Sequence, residues 1–326
     1  MSDAPTRVTI REVARDTGLS TSTVSRVLTG ARAVSPEVAE RVRESAERLG
    51  YRADPIGRSL RTRRTDTLGL VIPDVMNPFF PQLVQAVEYA ARQRGLAVLI
   101  ADASNDPEAE RAALRTLVDR RVDAVLISPT HLTASRDALT EAAKAVPTIQ
   151  LDRVIDPELP FVRADQGGPV EAIVRHLEAT KRRRLAFIGQ RITISTSVER
   201  ERAFQRLMGE HFPGEPLRVV TAGMSADSGR AAARDILSSW PETDAIICAN
   251  DLIAVGVLQE LGGRAGRREV AISGFDDTLL ARALHLTSVR QPVELMADAA
   301  LDLVAARATQ AAIELDSEVI FRLSTT

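Results

Sequence analysis

Two groups of side chains in this sequence could do chemistry, and neither has the make-up of a catalytic centre. The first lies in TIREVARDTGLSTSTVSRVLTG, residues 9–30, where Thr21, Ser22, Ser25 and Arg26 present short hydroxyls and one long cation on one helical face. That mixture suits DNA, because hydroxyls and a helix end meet phosphates while residues near the helix start approach base edges. Thr9, Ser20 and Thr23 add hydroxyls to the same segment. The second group is dispersed: Asn77, Phe79, Phe80, Asp152, Arg153, Arg200, Asn250, Phe275, Asp276 and Gln291. Carboxylates accept from pairs of hydroxyls, guanidinium and carboxamide groups donate to ring and hydroxyl oxygens, and phenyl rings cover C–H faces. Together they suit a polyol.

The first group is positioned by a helix-turn-helix. Thr9 and Glu12 form a T-x-x-E capping box that starts one helix, with Ile10, Val13 and Ala14 on its inner face. Asp16 to Leu19 make the turn, and Gly18 stands where a left-handed backbone is cheapest. Ser20 caps a second helix that buries Val24, Val27 and Leu28. A third helix follows, with Ser35 at its N-cap, Pro36 at N1, an inward stripe of Val38, Val42, Ala46 and Leu49, and Gly50 at its end. The second group needs a different frame. From residue 66, short apolar runs (TLGLVI, AVLIAD, DAVLIS, TIQLD, then RLAFIGQ, LRVVTAG, DAIICAN, VAISGFD) alternate with helical segments. Such alternation predicts parallel sheets wrapped on both faces. Two sets of runs predict two lobes, and ligands of such folds bind where strand C-terminal ends gather. Most of the dispersed group stands just after those runs.

Charge separates the two parts. Residues 1–65 hold 13 Arg, no Lys and 8 acidic residues, a balance of +5, and the remainder carries −7. Only the first part has the footprint of a polyanion binder. At 326 residues and 44% hydrophobic, the chain predicts two or three domains with sizeable cores. There is no run of about 18 apolar residues to span a bilayer, and no apolar signal-peptide core precedes the helical motif. The single cysteine, Cys248, excludes an internal disulfide framework. A cytoplasmic protein with no membrane partner is expected.

Between the parts runs YRADPIGRSLRTRRTDT, residues 51–67. Asp54-Pro55 reads as a helix start with Ile56, Ser59 and Leu60 on one face, but Gly57 costs about 1 kcal/mol there. Arg58, Arg61, Arg63 and Arg64 repel one another unless phosphates neutralise them. The expectation is a helix over 54–62 that orders on DNA. With this stretch and LGLVIPDVMNPFF in view, the chain resembles the LacI/GalR family of bacterial transcription repressors over essentially its whole length. The resemblance implies Thr21, Ser22 and Arg26 as major-groove readers and Leu60 as an apolar wedge in the minor groove. It departs at Ala53-Asp54, where the family commonly has Pro-Asn, at Gly57 (Ala) and at Thr29 (Asn). It also implies the architecture of periplasmic sugar-binding proteins, with crossovers between lobes near residues 163 and 290 and the last segment returning to the first lobe. The cleft residues resemble those of ribose-binding proteins and ribose repressors in NPFF, LDR, Arg200, AND, GFD and the Gln of RQP. Met224 stands where that group has a ring-stacking Phe, and Val198 where it has a second Arg.

Other signals are weaker. GGRAG at 262–266 precedes a strand instead of linking strand to helix, so it reads as a loop. There is no phosphate-binding GxxxxGK[ST] and no G-x-S-x-G elbow, and the four histidines are dispersed. KRRR at 181–184 reads as a solvated turn, Asp251 as a helix cap. No catalytic residue, metal site or cofactor is expected. The fold expected is α/β: a three-helix headpiece over 1–52, a hinge over 53–65, and a body over 66–326 of two Rossmann-like lobes, the first from about 66–163 and 291–326, the second from 164–290. The function expected is a sequence-specific transcriptional regulator of the repressor type. It would bind a palindromic double-stranded operator as a homodimer, under control of a sugar-like effector such as a pentose, nucleoside or related polyol. The rivals are a solute-binding protein of a sugar transport system, disfavoured by the basic headpiece, and a sugar- or nucleotide-processing enzyme, disfavoured by the missing phosphate loop.

Overall fold

The computed structural model describes residues 8–28, 34–51, 64–190, 193–262 and 269–326, and the chain divides into two compact units, Met1–Thr65 and Asp66–Thr326. In the first, α1 (Ile10–Thr17), α2 (Thr21–Leu28) and α3 (Pro36–Leu49) enclose a core of Val13, Ala14, Val24, Val27, Val42 and Ala46. The Glu12 carboxylate accepts from the Thr9 amide at 2.7 Å and from Thr9 Oγ1 at 3.0 Å, which starts α1. Gly18 (φ 67°) ends it in the left-handed region. The Asp16 carboxylate receives Ser45 Oγ and Arg48 Nη2 and so ties α1 to α3. The hinge helix expected over 54–62, with Leu60, lies outside the described residues, as does Thr29.

The second unit is built on two parallel sheets. The first has strand order β11 (Ala312–Leu315), β5 (Phe161–Ala164), β4 (Thr148–Leu151), β3 (Ala124–Ile127), β1 (Thr67–Ile72), β2 (Ala97–Asp102), all parallel. Strand β1 is interior, next to the edge, with Val71 standing opposite Ala101 on one side and Ile127 on the other. Helices α4 (Phe79–Gln93) and α12 (Val293–Ala306) cover one face, while α5 (Pro107–Asp119) and α6 (Arg136–Ala145) cover the other. The apolar run of β1 is buried almost throughout because both its faces are covered. The equally apolar β2 is an edge strand, with Leu99 39% and Ile100 52% exposed.

The second sheet has the order β7 (Arg218–Thr221), β6 (Leu185–Gly189), β8 (Ala245–Cys248), β9 (Ala271–Ser273), again all parallel. Around it pack α7 (Gly167–Ala179), α8 (Ser195–His211), α9 (Ala226–Ser239) and α10 (Asp251–Gly262). Gly256 lies against the Ala226 carbonyl and Gly229 against that of Ile253, so α9 and α10 cross at a distance no side chain would allow. In each sheet the first strand, β1 or β6, lies between the second and third, which opens a crevice at the C-terminal edge.

Chain connectivity differs from the sequence expectation at one place. After β5 the chain enters the second lobe, and after β10 (Ser288–Arg290) it returns through α12 and β11 to the first. It does not remain there. Strand β12 (Glu318–Ile320) pairs antiparallel with β10, and the final 3-10 turn, Leu323–Thr325, packs on the second lobe. Ser324 Oγ donates to the Ile272 carbonyl and accepts from the Thr287 amide. The assignment of all of 291–326 to the first lobe is thus corrected for residues 318–325: backbone groups of β10 and of the segment after β9 find their partners there. Among the described residues no helix is long and apolar enough to cross a membrane.

Candidate binding cleft and nucleic-acid interface

The exposed face of α2 carries Thr21, Ser22 and Arg26, with Thr23 and Ser25 half-buried beside it. Ser20 Oγ accepts from the Thr23 amide at 3.2 Å and exchanges hydrogen bonds with Ser22 Oγ and Thr23 Oγ1, so the start of the helix is a cluster of oriented hydroxyls. Arg26 Nε donates to the Ser22 carbonyl at 3.3 Å, which lays its guanidinium along the helix. Thr9 stands exposed at the start of α1.

In the larger unit the dispersed residues come together. Asn77 follows β1 and its Oδ1 accepts from the Phe79 amide, turning the chain into α4. Phe79 and Phe80 open that helix as an edge-to-face pair, ring centroids 5.1 Å apart. Asp152 and Arg153 follow β4, Arg200 projects from α8, Asn250 follows β8, Asp276 follows β9 and Gln291 follows β10. All of these line one cleft of about 260 Å³ between the lobes, joined by Gln190 and Thr196. Phe275 does not line it. Its ring lies behind the Arg200 guanidinium, 3.4 Å from carbon to ring centroid, so it supports a cation instead of offering a bare face. Met224 and Val198 are likewise absent from the lining. Asp251 accepts from Thr278 and Ser288 and is structural, but it does not cap the helix as expected: Asn250 does, its Oδ1 accepting from the Ile253 amide at 2.9 Å.

The polar groups hold one another in place. Arg200 Nε donates to Gln166 Oε1 at 2.7 Å, its Nη1 donates to the Ala249 carbonyl, and its Nη2 stands 4.0 Å from Asp276 Oδ1. Gln291 Nε2 donates to Asp276 Oδ1 at 2.9 Å. Ser128 Oγ donates to Asp152 Oδ2, and Arg153 lies over the Phe80 ring at 5.3 Å. Burial raises the Asp152 carboxyl above its ordinary value against the pull of Arg153 and Arg200. It raises Asp276 well above the ordinary value against the pull of Arg200. Burial lowers both guanidinium groups in turn. The lining sets two carboxyl groups against two guanidiniums, with no surplus of cationic side chains.

Four of its buried polar atoms have no hydrogen-bond partner: Asp152 Oδ1, Arg153 Nε, Asn250 Nδ2 and Gln291 Oε1. Sequence reasoning missed three groups. Gln190 ends a strand and was open to the same strand-end rule; Thr196 and the supporting Gln166 lie in helix starts that mark no ligand.

Similarity to known proteins agrees with this geometry. Residues 9–54 match the model of the bacterial regulatory proteins of the lacI family, and residues 65–312 match that of periplasmic binding proteins and the sugar-binding domain of the LacI family. The chain belongs to the LacI family. It is therefore a DNA-binding transcriptional regulator with a sugar-binding type of effector domain, and not an enzyme. The HTH-type transcriptional regulator GalR of Salmonella typhimurium is 33% identical over 92% of this chain and 89% of its own. The ribose operon repressor of Halalkalibacterium halodurans is 29% identical over 87% and 86%. A crystal structure of the lac repressor dimer bound to operator and the anti-inducer ONPF shares the fold, with a TM-score of 0.88 at 22% identity over 98% of this chain and 99% of that one.

Proposed function

We propose that this LacI-family regulator binds a palindromic operator as a homodimer and is controlled by an uncharged polyol of monosaccharide size, a pentose first among them, held between its lobes. The observation that carries the effector is the set of unpartnered atoms. A buried donor or acceptor left unsatisfied costs about 1–3 kcal/mol, and the cleft gathers two of each: Asp152 Oδ1 and Gln291 Oε1 accept, Arg153 Nε and Asn250 Nδ2 donate. Vicinal hydroxyls both donate and accept, so a polyol offers partners of both kinds. The balance of two carboxylates and two guanidiniums disfavours a phosphorylated ligand, which needs surplus cation.

Exposed apolar groups support self-association. Leu99 and Ile100 lie on the edge strand β2, and Leu279, Leu280 and Leu284 on and just after α11 (Leu279–Ala283), giving each lobe a patch for a second copy. Action on chromosomal DNA supports a cytoplasmic location. Thr21, Ser22 and Arg26 would read bases while the neighbouring hydroxyls meet phosphates, with Leu60 as the minor-groove wedge.

Isothermal titration with D-ribose, D-xylose, D-galactose, adenosine, cellobiose and ribose 5-phosphate tests the effector. Binding is expected to a free monosaccharide, with none to the phosphate ester. Heat from the phosphate ester alone, or from cellobiose alone, would overturn the reading. Fluorescence anisotropy on operator fragments selected from genomic DNA, with and without the bound sugar, then shows whether effector releases or promotes DNA binding.

A further inference from the structure

Asp276 and Asp277 occupy consecutive positions with φ of 106° and 43°, a region that side-chain residues avoid. Such a pair persists only where its surroundings hold it. Asp276 turns into the cleft. Asp277 turns away from it, is fully buried, and is surrounded by three guanidiniums from three elements. Arg290 on β10 donates to its Oδ2 through Nε at 2.8 Å, and Arg282 on α11 stands 3.3 Å from the same oxygen. Arg322, just after β12, donates through Nη2 to Oδ1 and through Nη1 to the Leu286 carbonyl. The Asp277 amide donates to Ser288 Oγ at 2.9 Å, and the Asp276 amide to the Val289 carbonyl at 2.8 Å. None of the three arginines lines the cleft. Water screens them unequally: the Arg282 and Arg290 side chains are 51% and 46% exposed, that of Arg322 only 15%. The strongest hold on Asp277 thus comes from Arg322.

We propose that Asp277, gripped by Arg322, is the positioning residue for the cleft carboxylate Asp276, and that the segment after β12 thereby sets effector affinity from outside the cleft. This rests on the polyol reading of the cleft for its effect on affinity, but not for its effect on the backbone. Binding groups must be held within about 0.5 Å of their working position. Without Arg322 the peptide between Asp276 and Asp277 relaxes toward negative φ and carries the Asp276 carboxylate away from Gln291 and Arg200.

The test uses the full-length chain and the variants Arg322→Gln and Arg322→Lys. Arg94→Gln serves as a control that removes an ion pair of the first lobe, Arg94 with Asp298 and Asp302. Amide hydrogen exchange without ligand is expected to accelerate at Asp276 and Asp277 at least tenfold in Arg322→Gln while β6 and β8 stay protected. Titration with the tightest-binding free monosaccharide, at a temperature where each variant is folded, is expected to show at least tenfold weaker binding. Arg322→Lys should recover part of it, and Arg94→Gln should bind as the parent does. A lowered melting midpoint with unchanged exchange at 276–277 and unchanged affinity would reduce Arg322 to a purely structural role and overturn the proposal. Should Arg322→Gln fail to fold, Arg290→Gln gives the same readouts at a half-exposed position. If the parent chain binds no monosaccharide, the cleft reading fails, and the exchange data still decide whether Asp277 and Arg322 position Asp276.

Discussion

Replacing Asp276 by Asn tests the cleft chemistry most directly. The side chain is buried, accepts from Gln291 Nε2 at 2.9 Å and faces Arg200. Asn keeps the shape and one acceptor oxygen but loses the charge and turns an NH2 group toward a guanidinium or a ligand hydroxyl. A hydrogen bond to a charged group contributes about 1.5–3 kcal/mol, and about 1.4 kcal/mol is a factor of ten. Loss of one such bond should weaken effector binding roughly 10- to 150-fold. Folding should suffer little, because burial already holds this carboxyl well above its ordinary range and Asn resembles the protonated form. The same raised value gives a second arm. Ligand hydroxyls donating to the carboxylate favour its charged form, so binding should release protons and weaken as the solution is made acidic, whereas the Asn variant should show a flatter profile. Isothermal titration in buffers of different ionisation enthalpy measures affinity and proton release together. Undiminished affinity in Asp276→Asn, or the same pH profile in both proteins, would refute the assignment.

Other outcomes follow from the same geometry. Arg26→Ala should cost about 1–3 kcal/mol of discrimination at one base pair of the operator. Anisotropy across single-base operator variants checks this, and an unchanged order of preference would make Arg26 a phosphate contact. Gly256→Ala should destabilise the larger unit by about 1–3 kcal/mol or more, because the added methyl would overlap the Ala226 carbonyl; urea unfolding measures it. Burial pushes the Asp251 carboxyl up from 3.8 to about 6, so the folded chain holds that proton more tightly than the unfolded one. Its contribution to stability is therefore present below about pH 4 and lost as pH rises to about 6, on the order of 3 kcal/mol across the window. Asp251→Asn should flatten that part of the stability profile, and an unaltered slope would count against it. Ile100→Asp combined with Leu279→Glu should shift sedimentation toward monomer if the two apolar patches meet a second copy.

What could be read early was local in origin. Helix starts and ends in the headpiece depend on residues three or four apart, so Thr9 with Glu12 and Gly18 at the turn were visible as letters, and the bonds of Glu12 to Thr9 follow. The strands announced themselves as apolar runs because both faces of a parallel sheet are covered. The rule that ligands gather at strand C-terminal ends then picked out Asn77, Asp152, Asn250 and Asp276 without coordinates. The same rule misled at Phe275, because a residue after a strand also has a rear side, and only packing shows that Arg200 occupies its face.

The sequence by itself determined the three headpiece helices, the eight strands β1–β4 and β6–β9 in their order, the basic headpiece, and the identities of most groups that meet in the cleft, since these follow from short-range periodicity, capping and composition; β5, β10, β11 and β12 are too short and too polar to stand out. The tertiary structure alone decided that β12 returns to β10 across some thirty residues, that Asp277 collects Arg282, Arg290 and Arg322, and that two carboxylates balance two guanidiniums in one buried space. Those facts depend on contacts between residues far apart in the chain, whose energies come from burial and mutual distance and leave no local pattern.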